Sequence, residues 1–293
     1  MQRIKQTQKL TLICLIGNFL LTILKFIAGI IGHSAAMLAD GAHSLSDILT
    51  DIILLFGVQL ASKPADKEHP YGHGRIETLC ALFISVFLLF VASSIFYASF
   101  KEITNVLKGE VLVKPGLIAL VMAFVSLIIK EIMYQYSVRV GRKINSLAVI
   151  ANAWHHRSDA FSSLAALIGI GGAILLGGKW TILDPLVGII ISVLILIIGL
   201  KMSKSAIDEI IDRALPEDDI KRIKQIALSI DGIKNPHAIK TRRSSYRVFI
   251  DLHVDISKET SFVEAHNKTS LLEKELKKVY GNAAVIIVHA EPI

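Results

Sequence analysis

The sequence is poor in cysteine: its 293 residues include two, Cys14 and Cys80, and both lie inside apolar runs. No Cys-x-x-Cys pair occurs, so thiolate metal clusters and a secreted fold held by disulfides are excluded. The sequence also lacks the His-Glu-x-x-His motif of zinc proteases and a glycine-rich nucleotide-binding loop. Neither zinc proteolysis of that kind nor nucleotide-driven chemistry is therefore expected.

Charged residues are scarce as well. They make up 19% of the chain against 53% hydrophobic residues, and the mean hydropathy is +0.56. Ordinary soluble domains are about 25% charged and about 45–50% apolar. A purely cytosolic protein is excluded on this composition, and so is a disordered chain, which would be depleted in apolar residues.

The net charge of +7 is unevenly distributed. Residues 208–293 contain fourteen basic and fourteen acidic residues, so the whole excess belongs to residues 1–207. A nucleic-acid-binding protein would concentrate its basic residues on one face or helix. Here the basic residues flank apolar runs, which is typical of charge that orients membrane helices, and no nucleic-acid partner is expected.

Six apolar stretches are each long enough to cross about 30 Å of hydrocarbon, for which about 20 helical residues are needed. Their approximate bounds are 10–32, 36–61, 77–100, 113–137, 145–176 and 184–203. Eleven Lys and Arg residues flank one end of these stretches and four flank the other. The richer side is predicted to be cytoplasmic, which places both termini in the cytoplasm. We therefore expect a six-helix transmembrane domain over residues 1–207.

Residues 208–293 predict a small cytoplasmic α+β domain. Its helices and strands are expected at 217–230, 237–243, 246–256, 262–280 and 285–289, from helical periodicity and strand alternation. The order α-β-β-α-β predicts an open-faced sandwich in which helices cover one apolar face of a sheet.

Ionisable residues inside the second and fifth expected spans give the main functional signal, since a charge at the bilayer centre costs at least a few kcal/mol. Each span carries the pattern His-x-x-x-Asp: His43 with Asp47, and His155 with Asp159. This spacing puts the two side chains of a pair on one helix face. The spans run in opposite directions, so His43 and Asp159 fall roughly 10 and 9 Å from the outer surface, and Asp47 and His155 roughly 16 and 15 Å. The four side chains are predicted to converge near mid-membrane.

Two imidazoles and two carboxylates form a donor set that suits Zn²⁺ in tetrahedral geometry. The set also suits Fe²⁺ or Co²⁺, and it suits Mg²⁺ and Ca²⁺ poorly, because those ions prefer six or more oxygens. With neutral histidines the site carries two negative charges, which a divalent cation neutralises. The alternative is that these polar residues only hold helices together.

Other polar residues of the two spans have weaker interpretations. Arg157 lies on a different face of the fifth expected helix from His155. A buried arginine needs a carboxylate partner, and Asp51 or Asp40 is the expected one. His33 and His156 are interpreted as packing or interface residues.

The remaining histidines lie in segments expected to be cytoplasmic. Asp66, His69 and His73 share one loop, and their spacing is compatible with a metal site or with a solvated polar turn. A further group is spread over different elements of the tail domain: His237, His253, His266, His289 and Glu291. Each of these is compatible with a solvated surface position, and sequence alone does not predict that they meet.

Four segments together resemble the cation diffusion facilitator family of divalent-metal transporters, and the resemblance extends over nearly the whole chain. The segments are residues 34–47, 69–75, 153–159 and 212–216. The resemblance implies a homodimer in the cell membrane that exchanges cytoplasmic metal ions for protons. It implies Zn²⁺ as cargo and regulator, with Fe²⁺, Cd²⁺, Co²⁺ and Mn²⁺ as other cargoes. A His-x-x-x-Asp pair in both spans resembles the zinc-selective branches.

The resemblance also implies roles for individual residues. The transport site is matched by His43, Asp47, His155 and Asp159. A second site in the loop is matched by Asp66, His69 and His73. A binuclear site at the dimer interface of the tail is matched by His237, His253, His266, His289 and Glu291, in a ferredoxin-like fold similar to metallochaperones. A salt bridge between membrane and cytoplasmic parts is matched by Arg75 and Asp212.

Two other classes compete with a transporter. An intramembrane metalloenzyme would need an open coordination position and a general base. The two His-x-x-x-Asp pairs fill four positions and leave no spare base, so we expect no enzyme. A membrane-bound metal sensor would bind metal without moving it.

Overall fold

The computed structural model describes residues 2–52, 58–61, 63–110, 112–143 and 147–293. Some side chains within these ranges fall outside the description, namely those of residues 2–11, 50, 51, 58, 59, 141, 147–152, 155, 156 and 158. The chain divides into two compact units, Met1–Ile52 with Phe83–Met202 and Ile53–Leu82 with Ser203–Ile293.

The first unit is helical. The helices up to the tail are α1 (Gln2–Ile31), α2 (Ala35–Ile52), α3 (Val58–Ala61), α4 (Arg75–Leu107), α5 (Leu117–Lys143), α6 (Leu147–Leu176) and α7 (Leu183–Ile210). α3 and the first turns of α4 belong to the second unit, as does the last part of α7.

Five stretches of the described residues are long and apolar enough to cross a membrane: Leu12–Ile31, Arg75–Leu107, Leu117–Val140, Asp159–Leu176 and Gly178–Ile210. The expected second span is not among them, because α2 carries Asp40, His43, Asp47 and Asp51 within 18 residues. Residues 53–57 of that expected span lie outside the described residues. Several apolar helices are confirmed, and the number of six spans stays a prediction.

The interior of the first unit holds charges while its surface is apolar. Lys25 and Asp40 are fully buried and Lys130 is 1% exposed, whereas Phe83 is 74% and Leu175 is 84% exposed. Lipid is as apolar as these surface side chains, so exposure of this kind is typical of helices that face a bilayer. Buried charges in such a unit mark functional positions.

The tail of the second unit forms the predicted small sandwich. Its elements are α8 (Glu217–Leu228), β1 (Lys234–Ser244), β2 (Arg247–Ile256), α9 (Phe262–Tyr280) and β3 (Val285–Pro292). β1 pairs antiparallel with β2, and β2 pairs parallel with β3. A parallel pair needs a crossover connection, which α9 provides. The predicted order α-β-β-α-β is confirmed.

The core of this sandwich lies between the sheet and its two helices. Ile223 of α8, Leu272 and Leu276 of α9, and Ile250 and Leu252 of β2 are each at most 1% exposed and belong to one apolar cluster. The alternation seen in β2 therefore has the expected cause: one face of the strand is covered by helices.

Capping fixes the bounds of α9. The Ser261 hydroxyl accepts the backbone N–H of Glu264 at 3.2 Å, which satisfies one of the free donors of the first turn. Gly281 follows the last turn at φ 92°, in the left-handed region that glycine adopts without strain. Both ends agree with the predicted helix over 262–280.

β1 begins three residues before its predicted start at 237. Asn235 and Ala238 adopt positive φ values of 42° and 48°, and the register with β2 shifts on both sides of His237. Such irregularities interrupt the two-residue alternation, so the pattern that identifies a strand from sequence begins only after them.

Candidate metal centres

Helices α2 and α6 bring three of the four expected transport ligands together. His43, Asp47 and Asp159 each offer a ligand atom, and these atoms lie within 4.8 Å of one another. The Nε2 atom of His43 is 4.0 Å from Oδ1 of Asp159. The fourth expected ligand, His155, lies one turn before Asp159 on α6, and its side chain falls outside the description. Imidazole and carboxylate from opposite helices thus face one another in the interior.

A buried lysine that the sequence analysis did not single out contacts Asp159. Lys130 on α5 donates from Nζ to Oδ2 of Asp159 at 3.1 Å. The signal was present, because Lys130 interrupts an apolar stretch and the rule for intramembrane charges applies to α5 as it does to α2 and α6.

A second buried ion pair lies in the same unit. Nζ of Lys25 is 2.8 Å from Oδ2 of Asp40, and both residues are fully buried. The Lys25 ammonium also donates to the hydroxyls of Ser44 and Ser163 at 2.9 and 3.0 Å. Ser162 and Ser163 in turn donate to the Asp40 carboxylate at 2.7 and 2.9 Å. Each charge is therefore paired and hydrogen-bonded, as burial requires.

This pair overturns one expectation for Arg157. Asp40 is held by Lys25, and the carboxylate beside Arg157 is that of Glu131, 3.8 Å from Nε to Oε2. The guanidinium also lies over the Tyr134 ring at 4.6 Å from its centroid. Asp40 as the partner of Arg157 was therefore wrong, because this carboxylate is paired with Lys25. The other expected carboxylate, Asp51, has a side chain outside the description.

The loop before α4 gathers its three expected ligands. Nδ1 of His69 is 3.3 Å from Oδ1 of Asp66, and Nε2 of His73 is 3.4 Å from Oδ2. The backbone N–H groups of His69 and Glu68 donate to the same carboxylate at 2.7 and 3.0 Å. The hydrogen bond from the His69 backbone, which is the largest influence, lowers the pKa of Asp66 below its ordinary value. The turn thus presents an ionised carboxylate between two imidazoles, as a metal site requires.

The same loop packs closely against the β1–β2 hairpin. A Cβ atom on Gly74 would come 2.8 Å from the hydroxyl oxygen of Ser244, so the close approach requires glycine. Arg247 donates to the backbone oxygen of Tyr71 at 3.4 Å, and the Tyr71 ring meets Phe249 edge-on with centroids 6.2 Å apart.

Arg75, at the start of α4, lies beside the end of α7. Its guanidinium forms a salt bridge with Asp212 and donates to the backbone oxygen of Ile210 at 2.6 Å. Arg242 approaches the same carboxylate, 3.4 Å from Oδ1. Partial burial alone would raise the pKa of Asp212, but the hydrogen bonds and charges of Arg75 and Arg242 outweigh it and lower the pKa. The structure thus contains the Arg75–Asp212 ion pair that the family resemblance implied.

The tail sheet aligns three histidines. His237 of β1 stands opposite His253 of β2, which stands opposite His289 of β3. The His253 and His289 ring centroids are 4.8 Å apart. Glu291 accepts from His253 at 2.7 Å and lies 3.4 Å from Nε2 of His237.

The charges at this tail cluster reinforce one another. The hydrogen bond from His253 lowers the pKa of Glu291. The backbone oxygen of Asn235, followed by the nearby carboxylates of Glu291 and Asp255, raises the pKa of His237. Asp255, 3.8 Å from His237, was missed by the sequence analysis.

Two expected tail ligands, His266 and His289, fall outside the group of tail residues whose described ligand atoms lie close together. Among the described tail residues, the ligand atoms of three lie within 4.8 Å of one another. These residues are His237, His253 and Glu291. His266 lies on α9 and shares with Glu291 the lining of an open cavity of about 380 Å³. Strand register could not be read from the sequence, so neither the alignment nor this separation was predictable.

Comparison with known proteins covers both parts of the chain. Residues 11–211 match the family described as the cation efflux transmembrane domain, and residues 215–293 match the cytoplasmic domain of cation efflux proteins.

Individual relatives agree. The chain is 34% identical over 299 residues to metal tolerance protein C1 of Arabidopsis thaliana, covering 98% of this chain and 63% of the plant protein. It is 36% identical over 289 residues to an uncharacterised transporter of Methanocaldococcus jannaschii, covering 98% and 99% of the two chains. It is 29% identical over 295 residues to the manganese efflux system protein MneP of Bacillus subtilis, covering 99% and 98%. The resemblance drawn from the sequence is thus confirmed: the chain belongs to the cation efflux family, the cation diffusion facilitators, whose members are membrane transporters of divalent metal cations and not enzymes.

Proposed function

We propose that this chain exports divalent transition-metal cations from the cytoplasm in exchange for protons, with Zn²⁺ as the preferred cargo. The supporting observation is the interior cluster of His43, Asp47 and Asp159, whose ligand atoms lie within 4.8 Å of one another. His155, one turn before Asp159 on the same helix, would supply the fourth ligand. Two imidazoles and two carboxylates suit the tetrahedral geometry of Zn²⁺.

Manganese is the competing cargo. MneP, a relative over nearly the whole chain, is named as a manganese efflux protein. Mn²⁺ stands at the weak end of the divalent series and prefers oxygen ligands, whereas imidazole favours Zn²⁺, Fe²⁺ and Co²⁺. The histidine in each pair is therefore the reason for placing Zn²⁺ first, followed by Fe²⁺, Cd²⁺ and Co²⁺.

Proton exchange follows from the chemistry of the ligands. Metal binds deprotonated imidazole and carboxylate, so binding releases protons and protonation expels the metal. A histidine ligand must lose its proton to bind a metal ion, so His43 and His155 are proposed to take up the protons that are exchanged. Movement of helices around a fixed site would expose it alternately to each side.

We further propose a homodimer in the cell membrane with both termini in the cytoplasm. The six-helix transmembrane domain covers residues 1–207, and a regulatory tail covers residues 208–293. Zn²⁺ bound in the tail would draw two copies together and favour the transporting state. The proposed tail ligands are His237, His253, His266, His289 and Glu291. Asp66, His69 and His73 would hold a further ion in the loop.

The test is metal flux into proteoliposomes loaded at acid pH. We expect Zn²⁺ to enter the lumen while the lumen becomes more alkaline, and Asp47→Ala and Asp159→Ala to abolish both signals. Asp251→Asn, at an exposed tail position, is the matched control and should transport normally.

Each part of the proposal has its own contrary result. Normal flux in Asp159→Ala removes the transport-site assignment. Zinc flux without lumen alkalinisation removes proton exchange, and faster manganese than zinc flux reverses the cargo order. Metal binding with no flux of any cation favours the sensor.

A further inference from the structure

Lys130 contacts a proposed transport ligand directly. Its Nζ atom is 3.1 Å from Oδ2 of Asp159, and the residue is 1% exposed. The other oxygen of that carboxylate is 4.0 Å from Nε2 of His43. Asp159 thus stands between the ammonium group of Lys130 and an imidazole of the donor set.

We propose that Lys130 is an internal counter-ion that competes with the metal cargo for Asp159. Its ammonium group occupies the carboxylate when the site is empty, and an arriving metal ion displaces it. The inference rests on the proposed function, since it takes Asp159 as a transport ligand. Lys130 acts through Asp159 and is not itself a ligand, because an ammonium group has no lone pair to donate.

The charges at the site indicate that Lys130 weakens metal binding. Asp47 and Asp159 carry two negative charges, which a divalent cation neutralises. Lys130 leaves one negative charge uncompensated in the empty site and one positive charge in excess when metal binds. A site of this kind holds its ion less tightly than the same ligands would without the lysine. Weaker binding favours transport, because an ion that enters a pathway must also leave it.

Comparison with Lys25 indicates which lysine is able to withdraw. Lys25 is held by Asp40, Ser44 and Ser163, so its three donors all have acceptors. Among the side chains that the structure describes, Asp159 is the one hydrogen-bond acceptor of Lys130. A flexible four-carbon stem carries the ammonium group, so losing one bond allows it to move.

The test is Zn²⁺ titration of the purified full-length chain by calorimetry, with Zn²⁺ flux measured in proteoliposomes. Asp159→Ala identifies the transport site as the binding event that it removes. Lys130→Met should tighten that event by about tenfold, or about 1.4 kcal/mol. In flux assays the same variant should lower both the half-saturating Zn²⁺ concentration and the maximal rate.

Two further variants keep the test decisive. Lys130→Gln is neutral but retains a hydrogen-bond donor, so it should tighten Zn²⁺ binding at this site less than Lys130→Met does. It also provides a measurement if the Met variant fails to fold. The paired variant Lys25→Met with Asp40→Asn is the matched control, since it removes a buried lysine whose ion-pair partner, Asp40, is not a proposed ligand. It should change the affinity by less than about threefold.

The outcomes separate the two proposals. If Asp159→Ala retains every binding event, the transport-site assignment fails and this inference fails with it. If Asp159→Ala removes an event that the Lys130 variants leave unchanged or weaken, only the counter-ion role is overturned. Equal tightening in the Lys25 control would also overturn it, because the effect would then come from the loss of any buried lysine in this unit rather than from contact with Asp159.

Discussion

Thr78 on α4 donates its hydroxyl to the carboxylate of Glu209 on α7, with 2.7 Å between Oγ1 and Oε1. The same oxygen accepts the backbone N–H of Ser245, at the β1–β2 turn, also at 2.7 Å. One carboxylate oxygen therefore joins two helices and a strand turn within the second unit.

Glu209→Ala should lower the free energy of unfolding by about 2 kcal/mol, because hydrogen bonds to a charged group contribute about 1.5–3 kcal/mol. Thermal unfolding of the detergent-purified protein measures the loss. A double-mutant cycle with Thr78→Ala should show coupling between the two positions. Strictly additive effects would show that this hydrogen bond contributes nothing to stability.

The salt bridge of Arg75 with Asp212 should make stability depend on acid pH. The pKa of Asp212 is lowered in the folded chain, so its contribution is present above the unfolded value of about 3.9. That contribution is lost as the pH falls through the folded value. About half of the side chain is exposed, so we expect at most about 1 kcal/mol.

Asp212→Asn is the variant that checks this dependence. The difference in melting temperature between the original chain and Asp212→Asn should be constant from about pH 7 to about pH 5 and shrink below about pH 4. A difference that grows on acidification would contradict the assigned direction.

Metal-free protein should show the opposite pH dependence at His237. Its pKa is raised in the folded chain, so its contribution to stability is complete below the unfolded value of about 6.5. The contribution disappears as the pH rises through the folded value. Glu291→Gln, measured with a chelator present, should therefore destabilise the chain more at about pH 5.5 than at about pH 8. Asp251→Asn, at an exposed position of β2, is the control and should show no such difference.

Replacing only one member of the Lys25–Asp40 pair should lower the stability of the folded chain strongly. Lys25→Met leaves a buried carboxylate without its counter-ion, which costs about 3–5 kcal/mol. The paired variant with Asp40→Asn should recover most of that loss, because it leaves no unpaired buried charge and the amide oxygen still accepts from one of the two serines. Melting temperatures of the three proteins check the order. Equal destabilisation by the single and paired variants would show that the hydrogen bonds, rather than the charges, stabilise this part of the chain.

The convergence of His43 and Asp159 was predictable because helix geometry is regular. A rise of about 1.5 Å per residue converts sequence position into depth, and an i, i+4 spacing converts it into a shared face. Lys25 and Lys130 were equally open to prediction, since both interrupt apolar stretches. They were missed because neither belongs to a repeated motif.

The tail site could not be predicted in the same way. His237 faces His253 only because β1 shifts register on both sides of it. His289 reaches His253 only because β3 pairs parallel to β2. Register and pairing are set by packing between distant parts of the chain, and a single sequence does not encode them as a local pattern.

The parallel pairing of β2 with β3 has a consequence for dynamics. Fraying of the crossover helix α9 would uncover the sheet and loosen β3, which would carry His289 and Glu291 away from His253. A bound ion favours the arrangement in which β3 is paired with β2 and α9 covers the sheet, by mass action. Occupancy of the tail cluster is therefore expected to slow amide hydrogen exchange in α9, even at residues that never touch the ion.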